Sequence, residues 1–161
     1  MISYRTIIER ISKVSKDSKV QTAKPRIGGM YSFGYNPKTK NKMPYYDMFP
    51  LVIPVEPAEG GFFGLNFHYI DAKSRGILLD IIAPMIDGKS TRKTIQVSYR
   101  KLKALSSTVW APCFKRYLWS HIRTKIISIP MQDWREVAKI PVISFTGSSA
   151  SGVHKDSRRL Y

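Results

Sequence analysis

With 161 residues the chain has room for one domain of ordinary size and too little length for a second full core. A hydrophobic fraction of 43% with 12% aromatics excludes a compositionally disordered chain. The 27 Lys and Arg against 11 Asp and Glu leave a formal charge of +16, beyond the magnitude of about 2–8 usual for a small domain, so an acidic partner is expected.

The first residues alternate charge with isoleucine where a signal peptide would place an apolar core. No stretch reaches the roughly 18–20 apolar residues that span a bilayer, so neither a classical export signal nor a membrane partner is expected. Residues 1–14 read as an amphipathic helix with Ile7, Ile8 and Ile11 on one side, followed by a polar basic linker over 15–26. Gly29 to Tyr35 sets Met30, Ser32 and Gly34 against Tyr31, Phe33 and Tyr35, the period-2 pattern of a strand. Asn36 to Pro44 is a turn-rich loop of the length seen in functional loops, and it projects Lys38, Lys40 and Lys42.

Leu51–Val55 and Phe62–Ile70 are apolar runs separated by Glu56–Gly61, which predicts an antiparallel hairpin. Pro50 and Pro54 lack a ladder donor, so the first of these strands should lie at an edge or carry a bulge. From about 72 to 83 the period changes to that of a helix, capped by Asp71, with Leu78, Ile81 and Ile82 on one face and Pro84 as its stop. Ser98 to Val109 reads as a basic amphipathic helix with Leu102, Leu105 and Val109 on one face, Arg100, Lys101 and Lys103 on others, and Pro112 closing the segment.

Lys115 to Lys125 is expected to form another helix, with Arg116, Trp119, Ser120 and Arg123 on one face. A short helix carrying Trp134 over Met131–Lys139 and a last strand over Ile140–Phe145 complete the reading. Thr146 to Gly152 has the composition of a flexible segment, leading into a basic end that contains Arg158 and Arg159. The expected fold is α+β: a small curved antiparallel sheet or open SH3-like barrel followed by three to four helices, with a helix at the N-terminus. The expected organisation is a helix and linker over 1–26, one domain over 27–145 and a flexible tail over 146–161.

Charge is uneven along the chain. Residues 1–49 hold 10 Lys and Arg against 3 acids, residues 50–88 hold 2 against 5, and residues 89–161 hold 15 against 3. The apolar middle is thus flanked by two basic segments. Lys38, Lys40 and Lys42, then Arg100, Lys101 and Lys103, then Lys115, Arg116 and Arg123 form runs able to track phosphates, with Tyr or Trp available for stacking, and Arg158 and Arg159 extend the set. Such a surface binds without reading sequence, and no zinc-finger spacing or basic-zipper heptad is present to read bases.

Catalytic signals are weak. His68, His121 and His154 occur singly, and no nucleophile elbow, zinc-protease motif or phosphate-binding glycine loop occurs. Cys113, the one cysteine, excludes an internal disulfide or a multi-cysteine zinc site and reads as a packed thiol. Glu56 or Glu59 followed by Asp71-Ala72-Lys73 has the carboxylate and lysine order of metal-dependent nucleases, but the glutamates fall in a turn and Asp71 reads as a helix cap. No catalytic residue, metal or cofactor is expected.

The segment MYSFGYNPKTKNKMPYYDMFPLVIPVEPAEGGFFGLNFHYI, from Met30 to Ile70, together with FKRYLWSHIRTKIISIPMQDW and the ending DSRR, resembles small basic proteins of T-even-like tailed phages, including marine and cyanophage relatives. The likeness covers most of residues 30–159; Asp71-Ala72 departs from it where a proline-containing helix start would stand, which bears on a turn and not on function. The resemblance implies a virion-associated or DNA-end-associated protein and transfers no catalytic residue. It also implies that Tyr45, Tyr46, Asp47, Phe49, Gly64, Asn66, His68 and Tyr69 are structural, with aromatic packing around a tight loop that Asp47, Asn66 and His68 hold by hydrogen bonds.

The leading expectation is therefore a non-enzymatic component of the virion tail, neck or baseplate, made in the host cytoplasm, docking onto other virion proteins through its termini. Its basic surface would meet DNA or acidic protein. The alternative is a sequence-independent binder of double-stranded DNA that protects genome ends; the nuclease stands third.

Overall fold

Strand patterning with period 2 and helices with apolar faces on one side predict a sheet covered by helices, and this is the arrangement found. The computed structural model describes residues 2–86 and 110–160, with the side chains of all of these except 85, 86, 159 and 160. Its strands are β1 (Lys19–Gln21), β2 (Met30–Ser32), β3 (Tyr46–Asp47), β4 (Leu51–Ala58), β5 (Gly61–Asn66), β6 (Phe114–Leu118), β7 (Ile126–Ile129) and β8 (Phe145–Thr146). Six of them form one antiparallel sheet in the order β1-β7-β2-β4-β5-β6, while β3 and β8 pair in a separate ribbon. The helices among the described residues are α1 (Tyr4–Val14), α2 (Ala72–Ile82), α3 (Trp134–Ala138) and α4 (Ala150–Leu160). The fold is α+β, and β1 and β6 stand at opposite edges of an open sheet and do not close a barrel.

The sheet buries both faces, and alternation along each strand sorts the side chains between two clusters. Met30, Leu51, Ile53, Val55, Leu65, Ile127 and Ile129 join a larger core with Ile7 and Ile11 of α1, Leu78, Leu79 and Ile82 of α2, and Trp134 of α3. Tyr31, Phe33, Tyr35, Val52, Phe62, Tyr117 and Ile126 form a second, mostly aromatic cluster. Phe33 sits at its centre, edge-on to Tyr35, Phe62 and Tyr117 with ring centroids 5.8–6.4 Å apart. Such aromatic pairs add about 0.5–1.5 kcal/mol each beyond area burial.

The caps behave as their chemistry dictates. Ser3 accepts from the Thr6 amide at the start of α1, and Asp71 accepts from the Ser74 amide at 2.9 Å at the start of α2. The hairpin is present, but Ala58 pairs with Gly61, so its turn is Glu59-Gly60 alone and shorter than the 56–61 span expected. Gly60 adopts φ 69°, which favours glycine. β4 is central, between β2 and β5, and it accommodates Pro54 by a register shift between Pro54 and Glu56, the bulge that the missing donor demands.

Five expectations are corrected. Residues 114–118 are strand β6, and 119–121 a single 3-10 turn, where a helix over 115–125 is expected. A helix there would leave the outer ladder groups of β5 unpaired; Phe114, Lys115, Arg116, Tyr117 and Leu118 instead pair with Leu65 back to Gly61. The basic linker contributes β1, a short edge strand on β7. The second hairpin strand ends at Asn66, where the Asn66 side chain caps a 3-10 turn over Phe67–Tyr69. The segment expected to be a flexible tail forms α4, held by buried Val153 and Ser157. The expected strand over 140–145 is reduced to β8, and the expected helix over 98–109 lies outside the described residues.

A Cβ placed on Gly61 would lie 1.7 Å from the Tyr117 carbonyl oxygen, a backbone atom that cannot move without opening β5 from β6. Gly61→Ala is expected to lower unfolding free energy by about 1–3 kcal/mol, the range for overpacking. Gly60→Asn, next to it in open space, should cost a few tenths of that range because asparagine tolerates positive φ. Denaturant melts of the two variants check the contrast.

Candidate nucleic-acid interface

Asp47 organises the region between β3 and the sheet. Its side chain is 2% exposed and accepts four hydrogen bonds: from the Phe49 amide at 3.0 Å, Asn66 Nδ2 at 3.0 Å, His68 Nδ1 at 2.7 Å and Ser144 Oγ at 2.5 Å. A carboxylate has about four lone-pair sites, so this one is saturated. Burial pushes the Asp47 carboxyl up, but the charge and hydrogen bond of His68, with the bonds from Ser144 and Asn66, outweigh it and hold the group below its ordinary value.

Asn66 extends the knot by accepting from the amides of Leu51 at 3.3 Å and His68 at 3.0 Å. α4 then locks the 3-10 turn from outside. His154 Nε2 donates to the His68 carbonyl at 2.9 Å and Ser157 Oγ to the Tyr69 carbonyl at 3.1 Å. Tyr69 and Tyr45 both meet the Phe145 ring edge-on, at 5.1 and 6.2 Å. Phe49 stacks on Tyr4 at 6.5 Å, and Gly64 lets Val52 pass where a Cβ would come within 2.5 Å of its Cγ1.

A pocket of about 310 Å³ opens beside this knot, between the loop after Tyr35 and strand β6. Tyr35, Tyr46 and Tyr69 line it together with Lys38, Lys115 and Arg116, and Asp47 and Asn66 lie at its floor. Strand alternation explains the β6 contribution: Lys115 and Tyr117 fall on the aromatic side of the sheet, opposite Gly64 and Phe62. Lys115 Nζ stands 3.9 Å from the centroid of the Tyr69 ring, a cation–π contact. Burial pushes this ammonium below its ordinary value, against the pull of Asp47. Burial likewise pushes the phenols of Tyr35, Tyr69 and Tyr117 up, so they stay neutral and add no negative charge to the pocket.

The structure thus brings Lys38, Lys115 and Arg116 together, with Lys40 and Lys42 on the 3-10 turn of the same loop. Arg116 also donates to the Glu59 carbonyl at 2.7 Å, and Arg123 to the Ser120 carbonyl at 2.5 Å. Among the described residues, none of Lys38, Lys40, Lys42, Lys115, Arg116 and Arg123 forms an ion pair. Arg158 differs, because it pairs with Asp71 at 3.2 Å and fastens α4 to α2. Arg100, Lys101, Lys103 and the Arg159 side chain lie outside the described residues.

The nuclease constellation does not assemble as that chemistry needs. Asp71 is spent on capping α2 and pairing with Arg158, and among the described residues no three His, Cys, Asp or Glu side chains converge on a metal position. Cys113 is fully buried and its thiol is pushed up to about 12 by burial, which makes it a poor nucleophile. Sequence reasoning missed Tyr35, whose alternation placed it on a strand but not in a pocket, Tyr117, which was read into a helix, and Ser144, for which no local signal exists. It also missed Arg75, 3% exposed, which donates to the carbonyls of Ile70 at 2.8 Å and Ala138 at 2.9 Å and ties α2 to the end of α3.

Residues 3–156 match the model of the family described as phage T4 terminal DNA protecting protein, and the chain belongs to that family. No curated protein and no solved structure matches it. The family description agrees with a role at phage DNA ends, the alternative drawn from the sequence, better than with a tail, neck or baseplate component.

Because the folded Asp47 carboxyl lies below the ordinary aspartate value of 3.8, its contribution to stability is complete above that pH and is lost as pH falls through the folded value. Asp47→Asn turns one acceptor oxygen into a donor amide, leaves two of the four donors without an acceptor, and should cost about 2–6 kcal/mol at neutral pH, at about 1–3 kcal/mol for each. The gap between the two proteins should narrow below pH 3.8. Chemical denaturation of both across pH 2.5–7 measures the gap, with Ser144→Ala, which removes one of the four donors, as a milder variant losing about 1–3 kcal/mol.

Proposed function

We propose that this protein binds the ends of linear phage DNA and shields them, without reading sequence and without catalytic turnover. The observation that carries the reading is the family match across residues 3–156. Physical support comes from six cations that are unpaired among the described residues, three of which, Lys38, Lys115 and Arg116, line a tyrosine-containing pocket, in a chain of net charge +16. Each phosphate such cations neutralise releases condensed counterions, which supplies affinity to any duplex. Bound at a terminus, the protein occupies the terminal phosphodiesters and blocks entry of an exonuclease.

A stoichiometric role fits the chemistry of the residues a catalyst would need. Asp71 and Cys113 are engaged or buried, and the saturated Asp47 has no lone pair left for a metal ion. Docking into a tail or baseplate through the chain ends has less support, since Ile7 and Ile11 of α1 and Val153 of α4 are buried against the protein's own residues. A protein that guards genome ends must be on them before a nuclease arrives, which supports its carriage in the virion with the packaged DNA.

The test compares binding to blunt linear duplex and to covalently closed circular duplex of equal length, from low to physiological salt. The expected result is tighter binding to the linear form and a steep salt slope. Replacing Lys38, Lys40 and Lys42 together by Ala should flatten the slope of log K against log salt by about 2–3. Equal binding to linear and circular DNA, or loss of both near physiological salt, overturns the reading.

A further inference from the structure

A surface of cations attracts duplex anywhere along its length, so preference for an end requires a feature that only an end satisfies. The pocket beside Asp47 has that property. At about 310 Å³ it has room for one nucleotide and too little for a base pair with its two backbones. An internal nucleotide could enter only by flipping out of the stack, at a cost of a few kcal/mol, whereas a terminal one frays at much lower cost.

We infer that this pocket receives the terminal nucleotide of a DNA strand, with its phosphate held by Lys38 and Lys115 and its base among the rings of Tyr35, Tyr46 and Tyr69. The inference rests on the DNA-end reading and names the ligand of that site. Polarity fixes the orientation. Lys38 is exposed on the loop, while the one carboxylate, Asp47, is buried, so a phosphate is drawn toward Lys38 and repelled from Asp47.

The floor also explains why no base would be preferred. Asp47 has spent its acceptors on Phe49, Asn66, His68 and Ser144, and Asn66 Oδ1 is taken by two amides. With these groups committed to each other, a base meets chiefly rings and apolar side chains, and every base has a π-face to offer. Lys115 completes the case: a half-buried ammonium over the Tyr69 ring, without an ion-pair partner among the described residues, is held where an incoming phosphate would supply the missing counter-charge.

The experiment measures affinity of the full-length protein, by fluorescence anisotropy, for one short duplex in four forms: 5′-phosphorylated, 3′-phosphorylated, unphosphorylated, and closed at both ends by hairpin loops. The expected result is that a terminal phosphate raises affinity by about tenfold over the unphosphorylated duplex, the scale of one charge-assisted hydrogen-bond set. The arm that gains identifies the strand end received. Lys38→Ala and Lys115→Met should abolish that gain, the second keeping an apolar chain over Tyr69, with circular dichroism checking that both fold. Open duplex preferred over closed, but with no effect of phosphate and equal losses on all forms in both variants, overturns the pocket inference and leaves the DNA-end reading standing. Equal affinity for open and closed duplexes overturns both.

Discussion

A carboxylate taken out of water is tolerated only when its charge and its lone pairs are answered, and in this protein that requirement falls on Asp47. Its four donors come from Phe49, Asn66, His68 and Ser144, which join the start of β4, the end of β5, the following 3-10 turn and the stretch before β8. Two of those contacts span 76 residues of chain between His68 and Ser144, so the knot closes the fold as well as decorating it. An apolar residue at 47 would leave the three side-chain donors and the Phe49 amide without their acceptor, each at a cost of about 1–3 kcal/mol. The knot thus fixes the turn that bears Tyr69, one wall of the pocket.

The second constraint is the double-faced sheet. Because both faces are buried, strand alternation sends aliphatic residues to the helices and aromatic ones to the other side, and the pocket opens beside the aromatic cluster. Tyr35 and Tyr117 serve both: Tyr35 packs against Tyr117 at 4.9 Å while its hydroxyl accepts from the Leu118 amide at 2.8 Å, and both line the pocket. The pocket is therefore an outgrowth of core packing, and the rings that line it are held by the same contacts that hold the sheet.

Much of this was legible in the sequence where local chemistry decides. Asp71 before a helical period, Pro54 within a β-branched run and the alternation from Met30 to Tyr35 each name their structure, because caps, bulges and faces depend on a few neighbouring residues. The segment from Phe114 to Leu118 was not legible, since its state is decided by β5, some fifty residues away, whose Gly61 admits a close partner. The basic runs were readable as charges but not as a site. That Lys38 and Lys115 share a pocket while Arg158 is consumed by Asp71 follows from long-range closure through Ser144 and α4, which no local pattern encodes.

Affinity and selectivity have separate physical sources in this arrangement. Exposed cations on the loop and beyond β6 act at long range, are screened by salt and treat every phosphate alike. A pocket one nucleotide wide acts at contact and distinguishes a free terminus from the interior of a duplex by the energy needed to unstack a base. Neither alone protects an end: the cations would spread the protein along the genome, and the pocket would bind a lone nucleotide with too little energy to resist a nuclease. On the proposed reading, the two joined on one surface would divide the work, the first concentrating the protein on DNA and the second halting it where the strand stops.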